Sequence, residues 1–167
     1  MTGGKAMKPS VAILMGSDSD AESLKGCGEV LKSFGVPYTA KVLSAHRTPE
    51  DTVEFVKGAR ANGVRVFICA AGGAAHLAGV VAAHTELPVI GIPIETSSLK
   101  GLDSLLSTVQ MPAGTPVATV AIGPGGVKNA AFLAVRMLAL GDAKLEKALR
   151  DYKEENRKKV LSKKVDL

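Results

Sequence analysis

The chain has three histidines. Two of them stand in turns whose other residues could also do chemistry. His46 is followed by Arg47 in "VLSAHRTPE" (42–50), and His76 closes "GGAAH" (72–76). An imidazole can give and take a proton near neutral pH. A guanidinium beside it offers a fixed, forked cation for a phosphate or carboxylate. Together they form a general acid/base with an anion clamp. "GSDSD" (16–20) adds hydroxyls and carboxylates that can hold an anion or sugar hydroxyls. In "GGAAH" the two glycines let backbone amides approach a ligand closely. Each turn also has a plainer explanation. Ser19 or Asp20 can cap the helix that follows, and Gly72 and Gly73 can simply permit a tight turn. His84 reads as structural or exposed.

The elements between these turns decide whether they can meet. "SVAILM" (10–15), "VPYTAKVLS" (36–44), "VRVFICAA" (64–71), "LPVIGIPI" (87–94) and "TPVATVAI" (115–122) read as five short strands. Helical periodicity fills 21–34, a stretch beginning near Ala74 or Ala75 in 72–85, the end of 95–110, 127–140 after a loop from 123, and 142–160. Residues 48–62 read as a helix opened by Thr48 as N-cap and Pro49 at the first position, with Glu50 and Asp51 at its positive end. Gly35 and Gly63 read as helix stops. These signals account for Thr48 onward and leave Ser44, Ala45, His46 and Arg47 without an evident structural duty.

Strict β–α alternation predicts right-handed crossovers and a parallel sheet. Ligands bind beyond the carboxyl ends of such strands. "GSDSD", "SAHR", "GGAAH" and "ETSSLKG" (95–101) all follow strands, so four polar loops are expected to converge on one edge. Residues 1–9 read as a flexible leader, and 10–167 as a single α/β catalytic domain with an extra C-terminal helix at 142–160.

Composition narrows the classes. The chain is 46% hydrophobic but only 4% aromatic and has no Trp, so its core must be aliphatic, as in a sheet covered on both faces. The net charge of +5 comes without a basic block interleaved with aromatics, so no nucleic-acid partner is expected. Apolar runs stay below membrane-spanning length and no secretory signal is evident, which predicts a cytoplasmic protein with no membrane partner. Cys27 and Cys69 form no CxxC pair, and His76 and His84 are not at zinc spacing, so free thiols and no metal are expected. No GxGxxG or P-loop is present. The apolar helix at 127–140 and the extra C-terminal helix suggest burial against another subunit.

With "GSDSD", "SAHRTPE", "AGGAAHLAG" and "GLDSLLSTVQMPAGTPVATVAIG" (101–123) in order, the chain resembles the class I N5-carboxyaminoimidazole ribonucleotide mutases of purine biosynthesis, from about Val11 to about Leu140. The resemblance implies a flavodoxin-like three-layer α/β/α sandwich with a five-stranded parallel sheet, assembled as a homo-octamer. It implies a small nucleotide substrate and a shift of a carboxylate from the exocyclic nitrogen to the ring carbon, without cofactor or metal. It gives Ser17 and Asp20 the nucleotide, Arg47 the phosphate, and His46 the acid/base role. The loop from Ala71 to Leu77 encloses the base and the carboxylate, with His76 nearby. The candidate catalytic residues are thus His46 and His76. The candidate substrate-binding residues are Gly16, Ser17, Asp18, Ser19 and Asp20, then Ser44, Ala45 and Arg47, then Ala71, Gly72, Gly73, Ala74 and Leu77.

Two positions depart from the family pattern: Ala78 stands where Pro is usual and Ala21 where an aromatic is common. A sister class carboxylates aminoimidazole ribonucleotide directly with CO2, but it resembles "SAHKT" and lacks "GGAAHL". A non-catalytic receiver or flavodoxin-like binding domain is the remote alternative. A receiver needs an Asp after strand three, where Ala70-Ala71-Gly72 stands, and a flavin site needs aromatics that the candidate loops lack.

Overall fold

A computed structural model describes residues 8–165. The expected leader falls outside the described residues except for Lys8 and Pro9. Five strands, β1 (Val11–Met15), β2 (Tyr38–Val42), β3 (Val66–Gly72), β4 (Val89–Ile94) and β5 (Ala118–Thr119), form one parallel sheet in the order β2-β1-β3-β4-β5. The helices are α1 (Lys25–Ser33), α2 (Pro49–Ala59), α3 (Leu77–Ala82), α4 (Leu102–Val109), α5 (Pro124–Ala139) and α6 (Ala143–Leu161). The fold is the expected flavodoxin-like sandwich.

The strand pleat sorts side chains onto two cores. Val11, Ile13 and Met15 pack with Leu31 of α1 and with Ala130, Ala134 and Val135 of α5. Ala12 and Leu14 pack on the other face with Val56 of α2 and with Leu77 and Val81 of α3. Central strands buried on both faces need continuous apolar runs, and β1 and most of β3 are such runs. Cys27 and Cys69 are free and buried, and burial pushes the Cys27 thiol up to about 12 and Cys69 higher still. Both therefore stay protonated and unreactive at neutral pH.

Several elements differ from expectation. The first helix begins at Lys25 rather than Ala21, because Asp18–Asp20 form a 3-10 turn that must unwind into it. The third helix begins at Leu77, so His76 precedes it rather than sitting in its first turn. β5 is only two residues long. The inner face of α5 lies on the sheet, and its outer face meets α6 through a Phe34–Phe132–Tyr152 cluster with ring centroids 4.8–5.8 Å apart. Ala78 is buried against the sheet, in reach of Gly91, and Ala21 is exposed. Neither departure places a new group in the candidate site. Among the described residues, no helix is long and apolar enough to cross a membrane.

Candidate active site

The strand order reverses between β1 and β3, and the loops leaving them on either side open a crevice there. The loops after β2, β1 and β3 line one cavity of about 340 Å³. It takes in Gly16, Ser17 and Asp20 from the first loop, and Ser44, Ala45, His46 and Arg47 from the second. Ala71, Gly72, Ala74, His76 and Leu77 come from the third. Asp18, Ser19 and Gly73 do not border it. The fourth loop does not converge: β4 lies one strand beyond the reversal, and residues after it are drawn toward α4 by hydrogen bonds from the Thr96 hydroxyl to the Asp103 carboxylate at 2.8 and 3.0 Å. A larger cavity of about 700 Å³ lies between α5 and α6, lined by Phe132, Leu133, Leu149 and Tyr152 with a charged rim. None of the loops after β1 to β4 reaches it; only Val120, just after β5, does.

Each loop has its own internal logic. In the first, neither Ser19 nor Asp20 caps α1, which opens after Leu24 with no side-chain cap; Ser17 caps the 3-10 turn instead, its Oγ accepting from the Ser19 amide at 3.3 Å and the Ser19 hydroxyl at 2.8 Å. Asp18 and Ser19 thus shape the turn from its exposed side. In the second, Ser44 has a structural duty that its sequence context hides. Its Oγ accepts from the amides of His46 (3.4 Å) and Arg47 (3.2 Å) and from Arg47 Nε (3.4 Å). Its carbonyl accepts from the Thr48 amide and hydroxyl. Thr48 does not cap α2 with its side chain: the hydroxyl reaches back and accepts from the Ser44 amide at 2.9 Å. Thr52, fully buried and not singled out from sequence, donates to the Thr48 carbonyl at 2.8 Å. The loop is closed on itself, and His46 and Arg47 are displayed from it, both exposed.

Two contacts join the loops. His46 Nε2 lies 2.8 Å from His76 Nδ1, with the rings 4.9 Å apart and nearly perpendicular. One of those two nitrogens carries the shared proton. The Arg47 guanidinium donates from Nη2 to the Gly16 carbonyl, tying the second loop to the first. The third loop needs a glycine at Gly73, where φ is +67°. A side chain there would cost about 1–2 kcal/mol. Its amides are not free for a ligand in the way the two glycines suggest. Gly73 donates to Ser104 Oγ at 2.9 Å and Ala75 to Ser107 Oγ at 3.1 Å, both on α4. Sequence reading missed these serines because they follow β4, one loop away from the motif they hold. Among the described residues, no three His, Cys, Asp or Glu side chains group as a metal site.

Burial pushes the Asp20 carboxyl above its ordinary range, against the lowering pull of hydrogen bonds from the Ser17 backbone and the Ser19 hydroxyl and of the Arg47 cation. A raised folded-state value means that the folded protein holds this proton more tightly than the unfolded chain does. The stability it contributes is full below the unfolded value of about 3.9 and is lost as pH rises through the folded one. At neutral pH the ionised group works against folding. Asp20→Asn is therefore expected to melt above the parent at pH 7, with the gap closing toward pH 3. Melting curves across that range check it, and a lower melting temperature for the variant at pH 7 contradicts it.

The family model for AIR carboxylase matches residues 10–159. An N5-carboxyaminoimidazole ribonucleotide mutase of Saccharolobus solfataricus is 52% identical over 158 residues, covering 95% of this chain and 99% of the relative. A protein of the same name from Bacillus subtilis is 49% identical over 155 residues, covering 93% and 96%. The crystal structure of Treponema denticola PurE superposes with a TM-score of 0.83 at 33% identity, covering 92% of this chain and 94% of that one.

Proposed function

We propose a mechanism from one premise: the chain belongs to the AIR carboxylase family and acts as an N5-carboxyaminoimidazole ribonucleotide mutase in purine biosynthesis. The net change breaks the bond between the exocyclic nitrogen and the carboxylate carbon and makes one between that carbon and the ring. One proton must reach the nitrogen so that CO2 can leave. One proton must leave the ring carbon after it has attacked the CO2. The two transfers balance, so a site that gives one proton and takes one back needs no other reagent.

The observation that carries this reading is the 2.8 Å contact between His46 Nε2 and His76 Nδ1. In a neutral pair joined this way, one outer nitrogen bears hydrogen and the other is bare. A proton given at one end is recovered at the other by a shift along the shared hydrogen bond. We assign one transfer to the outer nitrogen of His46 and the other to that of His76. Arg47 holds the phosphate with the guanidinium N–H groups not taken by Ser44 Oγ and the Gly16 carbonyl, and Ser17 and Asp20 take the nucleotide from the first loop. The loop from Ala71 to Leu77 borders the pair and holds the released CO2 beside the ring, so proximity replaces covalent catalysis.

One catalytic domain, 10–167, carries this chemistry. We further propose a homo-octamer, supported by an apolar row on α4 and the loop before it, where Leu99, Leu102, Leu106 and Val109 are each about half exposed. A cytoplasmic location is supported by the two free buried thiols. Turnover in buffer stripped of CO2 and bicarbonate tests the activity: product forms at the rate seen in ordinary buffer if the carboxylate is moved within the site. Dependence of the rate on added bicarbonate would point to direct carboxylation instead.

A further inference from the structure

α4 is turned inside out for a surface helix. Its leucines Leu102 and Leu106 face solvent, while Ser104 (0% exposed) and Thr108 (3%) face the sheet. It also lies close to the sheet: a Cβ on Gly91 would stand 2.4 Å from Thr108 Cγ2. Hydroxyls are kept inside only where they have partners, and here the partners belong to the candidate site. Ser104 Oγ accepts from the Gly73 amide and donates to the Ile94 carbonyl at 2.7 Å, bridging the ends of β3 and β4. Ser107 Oγ accepts from the Ala75 amide and lies 2.7 Å from the Asp103 carbonyl and 3.1 Å from the Gly73 carbonyl. It has one proton, so it donates to one of these at a time.

The consequence falls on the loop amides. The Gly73 amide is taken by α4, the Ala75 amide is shared between Ser107 Oγ and the Gly73 carbonyl, and His76 donates to the Ala74 carbonyl. Of residues 73–76, only Ala74 has an amide without an acceptor among the described residues, and Ala74 borders the cavity beside His76. We propose that Ser104 and Ser107 are positioning residues that hold the 73–76 loop so that the Ala74 amide alone is left for the carboxylate in transit, and that Ser107 in particular keeps the loop closed over released CO2. This rests on the mutase reading above.

Ser107→Ala is the informative variant. Alanine suits the helix, and the Ala75 amide keeps its 2.9 Å contact with the Gly73 carbonyl, so the fold is retained. Wild type, Ser107→Ala and Ser107→Thr are each turned over on unlabelled substrate in 13C-bicarbonate, and the labelled fraction of the product is measured. That fraction does not depend on how much of a variant is folded, so a merely structural role would leave it unmoved. Wild type is expected to take up little label, Ser107→Ala about two- to tenfold more, as the loss of one hydrogen bond allows, and Ser107→Thr to return to the wild-type level. Equal labelling of Ser107→Ala and wild type, or equal elevation in both variants, overturns the role of the hydroxyl. Label in every wild-type turnover overturns the mutase reading and this proposal with it.

Discussion

His46→Asn will fold, bind the nucleotide within a few-fold of the parent, and turn over at least about 100-fold more slowly, the lower end of what a positioned acid/base contributes. The side chain is exposed and its loop is organised by Ser44, Thr48 and Thr52, so its removal leaves the frame in place. Asparagine cannot accept and then release a proton, so the loss falls on kcat rather than on binding. The 2.8 Å contact with His76 sharpens the expectation. If the pair relays one proton, His76→Asn is also slow, and the double variant is little slower than the worse single one, because residues acting as a unit are not additive. Near-normal turnover of His46→Asn removes the acid/base assignment. Fully multiplicative losses remove the relay.

The second large effect is expected at Arg47. Replacing it by alanine should weaken nucleotide binding about 10- to 100-fold, the range for charge-assisted hydrogen bonds. Lysine should recover only part of this, since it keeps the charge and loses the planar fork. Two sources are expected for the loss: the proposed phosphate contact, and the tie from Arg47 to the Gly16 carbonyl that joins the first two loops. Titration with the nucleotide separates them. If binding weakens and kcat at saturation stays within a few-fold, the arginine serves the phosphate. If binding is unchanged, its assignment fails.

How much of this was legible in the sequence depended on the range over which each cue acts. The alternation of strands and helices gave the sheet, because pleat and helical period are local. Cys69 in an apolar run and Gly35 at a helix end were read for the same reason. Most of the residues that line the candidate cavity are visible too, since they crowd into three short turns, each next to a strand end. What escaped were hydrogen bonds made across the fold. Thr48 has the sequence context of a cap, but its hydroxyl closes the Ser44 turn instead. Gly72 and Gly73 resemble an anion cradle, yet the Gly73 amide is occupied by Ser104, 31 residues away. "ETSSLKG" looked like a fourth wall, and strand order alone sets it aside. The polar side of "LDSLLST" was a usable signal: Ser104, Ser107 and Thr108 share one helix face, and it reads as a solvated face until the sheet behind it is known.

The central claim is that the carboxylate leaving the nitrogen is the one that arrives on the ring carbon. The direct measurement uses N5-carboxyaminoimidazole ribonucleotide carrying 13C in its carboxylate, turned over by the wild-type protein in unlabelled bicarbonate, with the product read by mass. The account predicts product that keeps the 13C in nearly every turnover. Product carrying the isotope ratio of the surrounding bicarbonate would contradict it.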